Sequence, residues 1–468
     1  MKILFLHYHD KPFNTFIPAF LNKFMSEKIP ALGISYVAAN LERAGYDVKF
    51  IDSMALGLTP QETKKAIMDY GPDIVGITAM TVTFLGALEA AKIAKECGAT
   101  VIMGGPHFSI FPRESMFHEE IDYAILGEGE HAMLNLVKAI EEKRSLENIT
   151  GLIWRDNGTV RVNEPAIIDD LESLPIPARH LTPFNSYQLI GARKPFATLL
   201  TQRGCPFRCG YCATDNPMRK VRFRKVESVL DEMELLVNDF GTREMNFAVE
   251  TFTLKKDFTV ALCEGILKRK IKVRWQAPTR VDCVDLELLR LMHRAGCWQL
   301  RFGIESGNQR ILDLMRKNVT LEMIESAVDI TKKAGMRTVG YFILGYIDEN
   351  AQSVENTINF AKKLDLDSAV FYLGVPYYKT NFHELALERG LIDENYWTEW
   401  VMGKRTDPLP FLIPDAEKWL QKAYSDYYYR PKYVLKRLLS IRSPQDACEN
   451  LVAGSSMLLS KITKQFQQ

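Results

Sequence analysis

The sequence predicts an α/β protein built of two successive parallel-sheet units, a connector between them and a helical C-terminal region. Three observations carry this expectation. From residue 1 to about 140, and again from about 196 to 391, short apolar runs alternate with amphipathic stretches, the pattern of βα repeats. Between the two lies a hairpin signal followed by paired prolines. After residue 391 only the helical period remains. A length of 468 residues with 47% hydrophobic content fits a large globular protein of about two to four domains.

In the first unit, residues 1–143, strands are expected at Ile3–Leu6, Asp47–Ile51, Ile74–Thr78, Thr100–Met103 and Tyr123–Leu126. Helices are expected at Gly33–Ala44, Pro60–Tyr70, Phe84–Cys97, His118–Glu120 and Glu130–Glu142. Five such repeats suit a flavodoxin-like or Rossmann-like sheet, whose ligand crevice lies beyond the C-terminal strand ends. Those ends carry Thr78-Ala79-Met80-Thr81-Val82-Thr83, Gly104-Gly105-Pro106-His107 and Gly127-Glu128-Gly129-Glu130, while Pro30-Ala31-Leu32-Gly33 opens the first helix. Glycine at such ends lets the backbone approach a flat or anionic ligand, because no Cβ intervenes.

The connector spans 144–195. Its first part, Gly151 to Val162, reads as a β-hairpin around Asp156-Asn157-Gly158. Its second part runs from the acidic Asp169-Asp170-Leu171-Glu172 into Leu174-Pro175-Ile176-Pro177, a stiff segment able to hold two units at a set distance. The second unit, 196–391, has expected strands at Phe196–Gln202, Glu244–Val249, Val273–Ala277, Gln299–Phe302, Thr338–Ile343 and Ser368–Leu373. Helices fall at Ser228–Asp239, Lys255–Arg269, Asp285–Ala295, Gln309–Met315, Glu322–Ala334 and Gln352–Lys363. Six βα repeats make a partial (β/α)6 barrel of the TIM type, with chemistry at the C-terminal strand ends. Region 392–468 is expected to be helical at Tyr396–Met402, Asp415–Tyr429 and Tyr433–Ser440.

Composition narrows the setting. Lys+Arg 59 against Asp+Glu 58 leaves a net charge of +1, so no bulk field draws the chain to nucleic acid or membrane. Eight cysteines are too few for a disulfide scaffold in a chain this long. The apolar run after Met1 is too short for a signal peptide, and no stretch approaches the ~20 apolar residues of a spanning helix. A cytoplasmic setting is expected.

The chemistry is announced by Gln202-Arg203-Gly204-Cys205-Pro206-Phe207-Arg208-Cys209-Gly210-Tyr211-Cys212, a C-x3-C-x2-C spacing compact enough for one loop to wrap one cluster. A 4Fe-4S cluster takes four ligands, so three local thiolates leave one iron open. The alternative, a zinc knuckle, wants four closed ligands in paired C-x2-4-C units, and no second pair is near. The spacing resembles that of the radical S-adenosylmethionine (SAM) superfamily, in which the amino and carboxylate groups of SAM chelate the open iron. Tyr211 matches the aromatic that this family sets beside the adenine.

The resemblance implies further SAM contacts at the strand ends. Glu250, in Val249-Glu250-Thr251-Phe252, stands where the family more often has two acidic residues, and would accept from the SAM amino group. Arg280 would pair with the SAM carboxylate. Gly303-Ile304-Glu305-Ser306-Gly307 matches a Gly-x-Glu-Ser-Gly run around the ribose and methionine; a plain alternative for Glu305 is a carboxylate offsetting a helix dipole. The family's Gly-x-Pro-Gly-Glu-Thr is replaced here by Gly345-Tyr346-Ile347-Asp348-Glu349-Asn350.

The loops of the first unit look like the cobalamin-binding domain that precedes many radical SAM domains, which implies cofactor contacts at Gly33, Thr78, Met80, Thr81, Gly104, Gly105, His107, Gly127, Glu128 and Gly129. Cobalt-ligating domains show Asp-x-His-x-x-Gly after the first strand; His7-Tyr8-His9-Asp10 has neither that order nor the glycine. The expectation is base-off cobalamin with no protein histidine on cobalt. His7, His9 and His107 are then hydrogen-bonding loop residues, and Met80–Thr83 packs the lower face. Cys97, Cys263, Cys283, Cys297 and Cys448 read as buried small hydrophobes, Cys297 being the first to consider for chemistry.

Residues 430–442 carry five basic residues and no acidic one, a stretch that either packs by its leucines or lies on anionic lipid. Together the features, over residues 1 to about 440, resemble the branch containing the anaerobic magnesium-protoporphyrin IX monomethyl ester cyclase and lipid or hopanoid methylases. The implied activity is methylation of an unactivated carbon through a 5′-deoxyadenosyl radical and methylcobalamin, with an oxidative cyclase or rearrangement enzyme as the alternative. The implied cofactors are a 4Fe-4S cluster, SAM and cobalamin, and the implied partner is an electron donor such as flavodoxin or ferredoxin. Peptide, lipid, tetrapyrrole and small-metabolite substrates all remain open. A methylthiotransferase is excluded because the first unit contains only Cys97. A non-catalytic cobalamin sensor would have no use for Glu250, Arg280 and Glu305.

Overall fold

The computed structural model describes residues 1–8, 27–189, 191–214, 218–407 and 409–439. His9, Cys448 and residues 440–442 of the basic stretch lie outside the described residues.

The first sheet contains β1 (Lys2–His7), β2 (Asp47–Asp52), β3 (Ile74–Thr78), β4 (Thr100–Gly104) and β5 (Tyr123–Ile125), all parallel, in the order β2-β1-β3-β4-β5. The hairpin forms as β6 (Leu152–Asp156) and β7 (Thr159–Val162) and adds antiparallel to β5, so it extends the sheet. Successive β1 residues alternate sides: Ile3 and Phe5 meet α1 (Leu32–Arg43) and α4 (Gly129–Glu142), while Leu4 and Leu6 meet α2 (Pro60–Tyr70) and α3 (Phe84–Glu96). Burial on both faces is why these strands read as unbroken apolar runs. The helix expected at His118–Glu120 is absent. Pro106 starts a short helix earlier, Pro106–Ile110, and a 3-10 turn at Glu114–Phe117 follows.

The second sheet runs β8 (Phe196–Leu199), β11 (Glu244–Phe247), β12 (Arg274–Thr279), β13 (Cys297–Glu305), β14 (Arg337–Leu344) and β15 (Ser368–Leu373), all parallel, with β8 and β15 as free edges of an open barrel. Its outer layer is α5 (Val226–Asn238), α6 (Lys256–Lys268), α7 (Leu286–Arg294), α8 (Gln309–Leu314), α9 (Leu321–Lys333) and α10 (Ala351–Leu364). The expected strand to Gln202 is cut short. The chain leaves the sheet at Leu199, and β9 (Gln202–Arg203) pairs antiparallel with β10 (Arg222–Phe223), closing the neck of the loop that carries the three cysteines.

A helix not expected from the sequence, α11 (Asn381–Glu388), follows β15, capped by the Thr380 side chain on the His383 N–H. Beyond it come α12 (Tyr396–Val401), α13 (Ala416–Tyr428) and α14 (Pro431–Leu439). The tyrosine-rich run lies along the free edge of β15: Tyr424 Oη accepts from Phe371 N and donates to Phe371 O, and Tyr428 Oη does the same at Ala369. Hydroxyls thus occupy polar groups that an edge strand would leave open. Lys436 donates to the Asp365 carbonyl oxygen, and Arg430 and the largely exposed Lys432 reach the Asp365 carboxylate. Among the described residues no helix is long and apolar enough to cross a membrane.

Candidate active site

The cysteine loop is threaded through the second unit at Gly210. Its N–H donates to Met315 O at 2.7 Å, and its carbonyl accepts from Phe382 N at the start of α11 at 2.9 Å. A Cβ here would stand 2.7 Å from Tyr346 Oη, so any larger residue would have to displace that side chain. Cys205, Cys209 and Cys212 are all unbridged thiols of intermediate exposure. Burial raises the pKa of Cys205, and the charges of Glu250, Cys212 and Cys209 add to the rise, so the three sulfurs share one electrostatic neighbourhood. Among the described residues no group of three or more His, Cys, Asp or Glu side chains is placed to hold a metal ion.

Beside this loop is a buried polar network. Glu305 ends β13 in the left-handed region, φ 68°, where the register with β14 breaks between Gly303 and Glu305. Its Oε1 accepts from Tyr211 Oη at 2.7 Å and Lys317 Nζ at 2.8 Å, and among the described residues Oε2 has no hydrogen-bond partner. Burial and the Glu305 charge hold the Tyr211 phenol well above its ordinary pKa, so it stays a donor. Lys317 was missed in the sequence. It is buried in a polar turn flanked by left-handed Arg316 and Asn318, a backbone cue with no composition signature.

Arg280 is placed differently from expectation. Its guanidinium is buried and held by Asp282 through Nε at 2.9 Å and Nη2 at 2.8 Å; Nη2 also donates to the Lys317 carbonyl. It stacks 3.8 Å from the Phe207 ring centroid, and Nη1 lies 3.7 Å from Cys209 Sγ. The fork expected to take the SAM carboxylate is therefore engaged by Asp282, and what remains points at Cys209 Sγ. Ser306 is also occupied: Oγ sits 3.1 Å from Thr357 Oγ1 and accepts from Asn308 N, which shapes the turn after β13. Glu250 is solvent-accessible at the cleft, and the surrounding protein raises its pKa by desolvation. Where the proline turn is missing, Glu349 Oε2 closes the loop by accepting from Gly345 N and Tyr346 N. Burial pushes Glu349 to about 7 against those bonds. Cys297 is fully buried with a strongly raised pKa, an inert core thiol.

The crevice of the first unit keeps some expected residues and withdraws others. Gly33 faces open space, Thr78 and Gly104 end β3 and β4, and Met80 is half exposed at the crest. Gly105 crosses close over Ala79, and Gly129 begins α4. His107 is fully buried: Nδ1 meets Thr81 Oγ1 at 3.3 Å, Nε2 meets Ser115 Oγ at 3.0 Å, and the ring stacks on Phe84 at 3.8 Å. Burial lowers its pKa to about 3, with the His118 charge adding to the effect. His107 and Thr81 are thus bonded to each other within the core of the first unit. His7 is paired with Asp52, Nδ1 to Oδ2 at 3.1 Å.

The Gly127–Glu130 run is a clamp between units. Gly127 has φ 97° and lies so close to Ala166 that a Cβ would come within 2.3 Å of its carbonyl oxygen. Glu128 accepts from Ile168 N at 2.6 Å and from both Nη atoms of Arg222 at 2.7 and 2.9 Å, with Arg203 Nη1 at 3.3 Å. Arg203 also bonds Glu130 at 2.5 Å. Burial favours a protonated Glu128, but the Arg222 bonds and the Arg203 charge outweigh it and hold the carboxyl below its ordinary range. Glu128, expected at the cofactor, instead ties α4 to the neck of the cysteine loop.

Among the described residues the chemistry fits the implied groups: three free thiols on one loop, a glutamate oxygen (Glu305 Oε2) without a partner near them, and an exposed Met80 and Gly33 at the ends of the first sheet. The radical SAM superfamily model matches residues 199–361, and the B12 binding domain model matches residues 25–137. The chain is 37% identical over 417 residues to an uncharacterized methyltransferase of Pyrococcus horikoshii, covering 87% of this chain and 89% of that protein. It is 30% identical over 429 residues to the anaerobic magnesium-protoporphyrin IX monomethyl ester cyclase of Rubrivivax gelatinosus, covering 89% and 74%. In fold it is similar to the radical SAM methyltransferase TsrM of Kitasatospora setae, solved with cobalamin and a [4Fe-4S] cluster, at TM-score 0.71, 18% identity and 99% coverage of both chains. The cobalamin-dependent radical SAM enzyme OxsB gives TM-score 0.73 at 18% identity, covering 98% of this chain and 71% of that one.

Proposed function

This chain belongs to the radical SAM superfamily, among the enzymes that carry an N-terminal B12-binding domain, and on that premise we propose that it methylates an unactivated carbon of its substrate. When bound, the cluster and SAM supply a 5′-deoxyadenosyl radical and cobalamin carries the methyl group. Cys205, Cys209 and Cys212 hold the cluster. Tyr211 and Lys317 orient Glu305 so that Oε2 faces SAM, and Glu250 offers a carboxylate to the SAM amino group. Gly33, Thr78, Met80 and Gly104 line the cobalamin side. The reading divides the chain into units 1–143, 144–195, 196–391 and 392–468, and includes a cytoplasmic setting and a one-electron donor such as flavodoxin or ferredoxin.

One observation carries the proposal. Arg203, two residues before Cys205, is bonded to Glu130 in the first turn of α4, so the cluster loop and the crevice of the first unit are braced against each other. Two cofactors that must reach one atom need such a fixed separation. The similarity to a cyclase favours a second reading, oxidative cyclisation without methyl transfer. Product analysis separates them. Methyl transfer yields S-adenosylhomocysteine and 5′-deoxyadenosine in equal amounts and a substrate heavier by one CH2. Product with 5′-deoxyadenosine but no S-adenosylhomocysteine rules methyl transfer out and leaves cyclisation.

A further inference from the structure

The inner face of the barrel has a closed floor and an open middle. At the floor, buried Glu244 gathers the Gln276 amide at 3.1 Å, Trp298 Nε1 at 3.0 Å and the Arg193 backbone N–H at 3.0 Å. Arg274 stacks 4.2 Å from a Trp298 ring and lies 3.9 Å from the Glu244 carboxylate. Charge is matched there. Alternation along β13 sends Leu300, Phe302 and Ile304 into the outer core and turns Arg301 to the inner face.

Arg301 has no such match. Among the described residues Nη2 donates to Asn246 Oδ1, Nε is buried without an acceptor, and no carboxylate lies within ion-pair distance. Tyr341 and Tyr372 stand on the same side, their rings 6.1 Å apart, and Tyr372 is 54% exposed although its neighbour Phe371 belongs to the core. Two opposite charges reach the Tyr372 phenol, that of Arg301 and that of exposed Glu27. A half-buried guanidinium without a counterion is costly, and the cost is removed when a ligand brings the anion.

We propose that the substrate carries an anionic group, a carboxylate or a phosphate, on an apolar or planar body. Arg301 takes the anion with its planar fork, and Tyr341 and Tyr372 flank the body between the barrel floor and the cluster end. The inference rests on the barrel lumen being the substrate site of the function proposed above.

The test is isothermal titration calorimetry of the full chain with 1-naphthoate, 1-naphthyl phosphate and neutral 1-naphthamide. At least one anion should bind the wild type about tenfold or more tightly than the amide, and Arg301→Gln should lose about that factor, the effect of one charge-assisted hydrogen bond. Whether naphthoate or naphthyl phosphate wins names the group. Arg301→Lys, which keeps the charge, should retain part of the selectivity, and serves if the Gln variant fails to fold. Equal binding of anions and amide, binding of none of the three by the wild type, or unchanged anion affinity in a folded Gln variant overturns the proposal. Because binding is read without turnover, this result is independent of the product ratio that tests methyl transfer.

Discussion

Replacing Glu128 distinguishes a clamp from a cofactor ligand. The Glu128 side chain is 8% exposed and its partner Arg222 only 5%. Without the carboxylate, Arg203 keeps Glu130, whereas Arg222 keeps only the carbonyl oxygens of Lys220 and Ile168. Removing one partner of a buried pair costs about 3–5 kcal/mol. The contact left to Arg203 puts Glu128→Ala at the lower end, about 3 kcal/mol. Glu128→Gln still accepts one hydrogen bond, and should cost about 2 kcal/mol. The assay is urea unfolding of the apo chain at pH 7 and at successively lower pH. Because the native pKa of Glu128 is held below its ordinary value of 4.5, the stabilisation is complete above that value and is lost as pH falls through the lower native pKa. Wild type and Gln variant should therefore converge in acid. Hydroxocobalamin affinity, measured where both are folded, should be unchanged. An Ala variant within about 0.5 kcal/mol of wild type refutes the clamp. Lost cobalamin binding at undiminished stability would make Glu128 a ligand after all.

Two further outcomes follow from the site. Arg280→Met removes an N–H donor aimed at Cys209, so the reconstituted cluster should become harder to reduce, by about 60 mV for a hydrogen bond of about 1.4 kcal/mol. Spectroelectrochemical titration reads this directly, and an unchanged midpoint means the donor does not act on the sulfur. With both ring nitrogens of His107 used in the core, electron paramagnetic resonance of the Co(II) form should lack nitrogen superhyperfine splitting, and His107→Ala should leave that spectrum as it is; an axial nitrogen signal that vanishes in the variant contradicts the assignment.

The local periods and the short motifs were determined by the sequence alone. Ile3–Leu6, Ile74–Thr78 and Thr100–Met103 are apolar on every residue or nearly so because both faces of a parallel sheet are buried, and that requirement is written along the strand itself. The grouping of Cys205, Cys209 and Cys212 was legible because residues three and four apart on one loop are kept together by the chain itself. Glu305 and Tyr211 stand in short motifs that resemble the family's, so the expectation that they serve the site also came from the local sequence.

Partners separated along the chain were decided only by the tertiary structure. Glu128 meets Arg222 across 94 positions, Tyr211 meets Glu305 across 94, and Arg280 reaches Cys209 across 71. A glycine-rich turn after a strand looks the same whether it cradles a ligand or, like Gly127, lies against another segment of backbone. Nor does the sequence announce that the fork of Arg280 at a strand end will be occupied by Asp282 two residues on, or that Arg301 in mid-strand will have no carboxylate among the described residues. Spacing reports what a residue's neighbours in the chain allow. Which charge is paired and which polar atom is left for a ligand depends on the packing of elements that the chain brings together only when it folds.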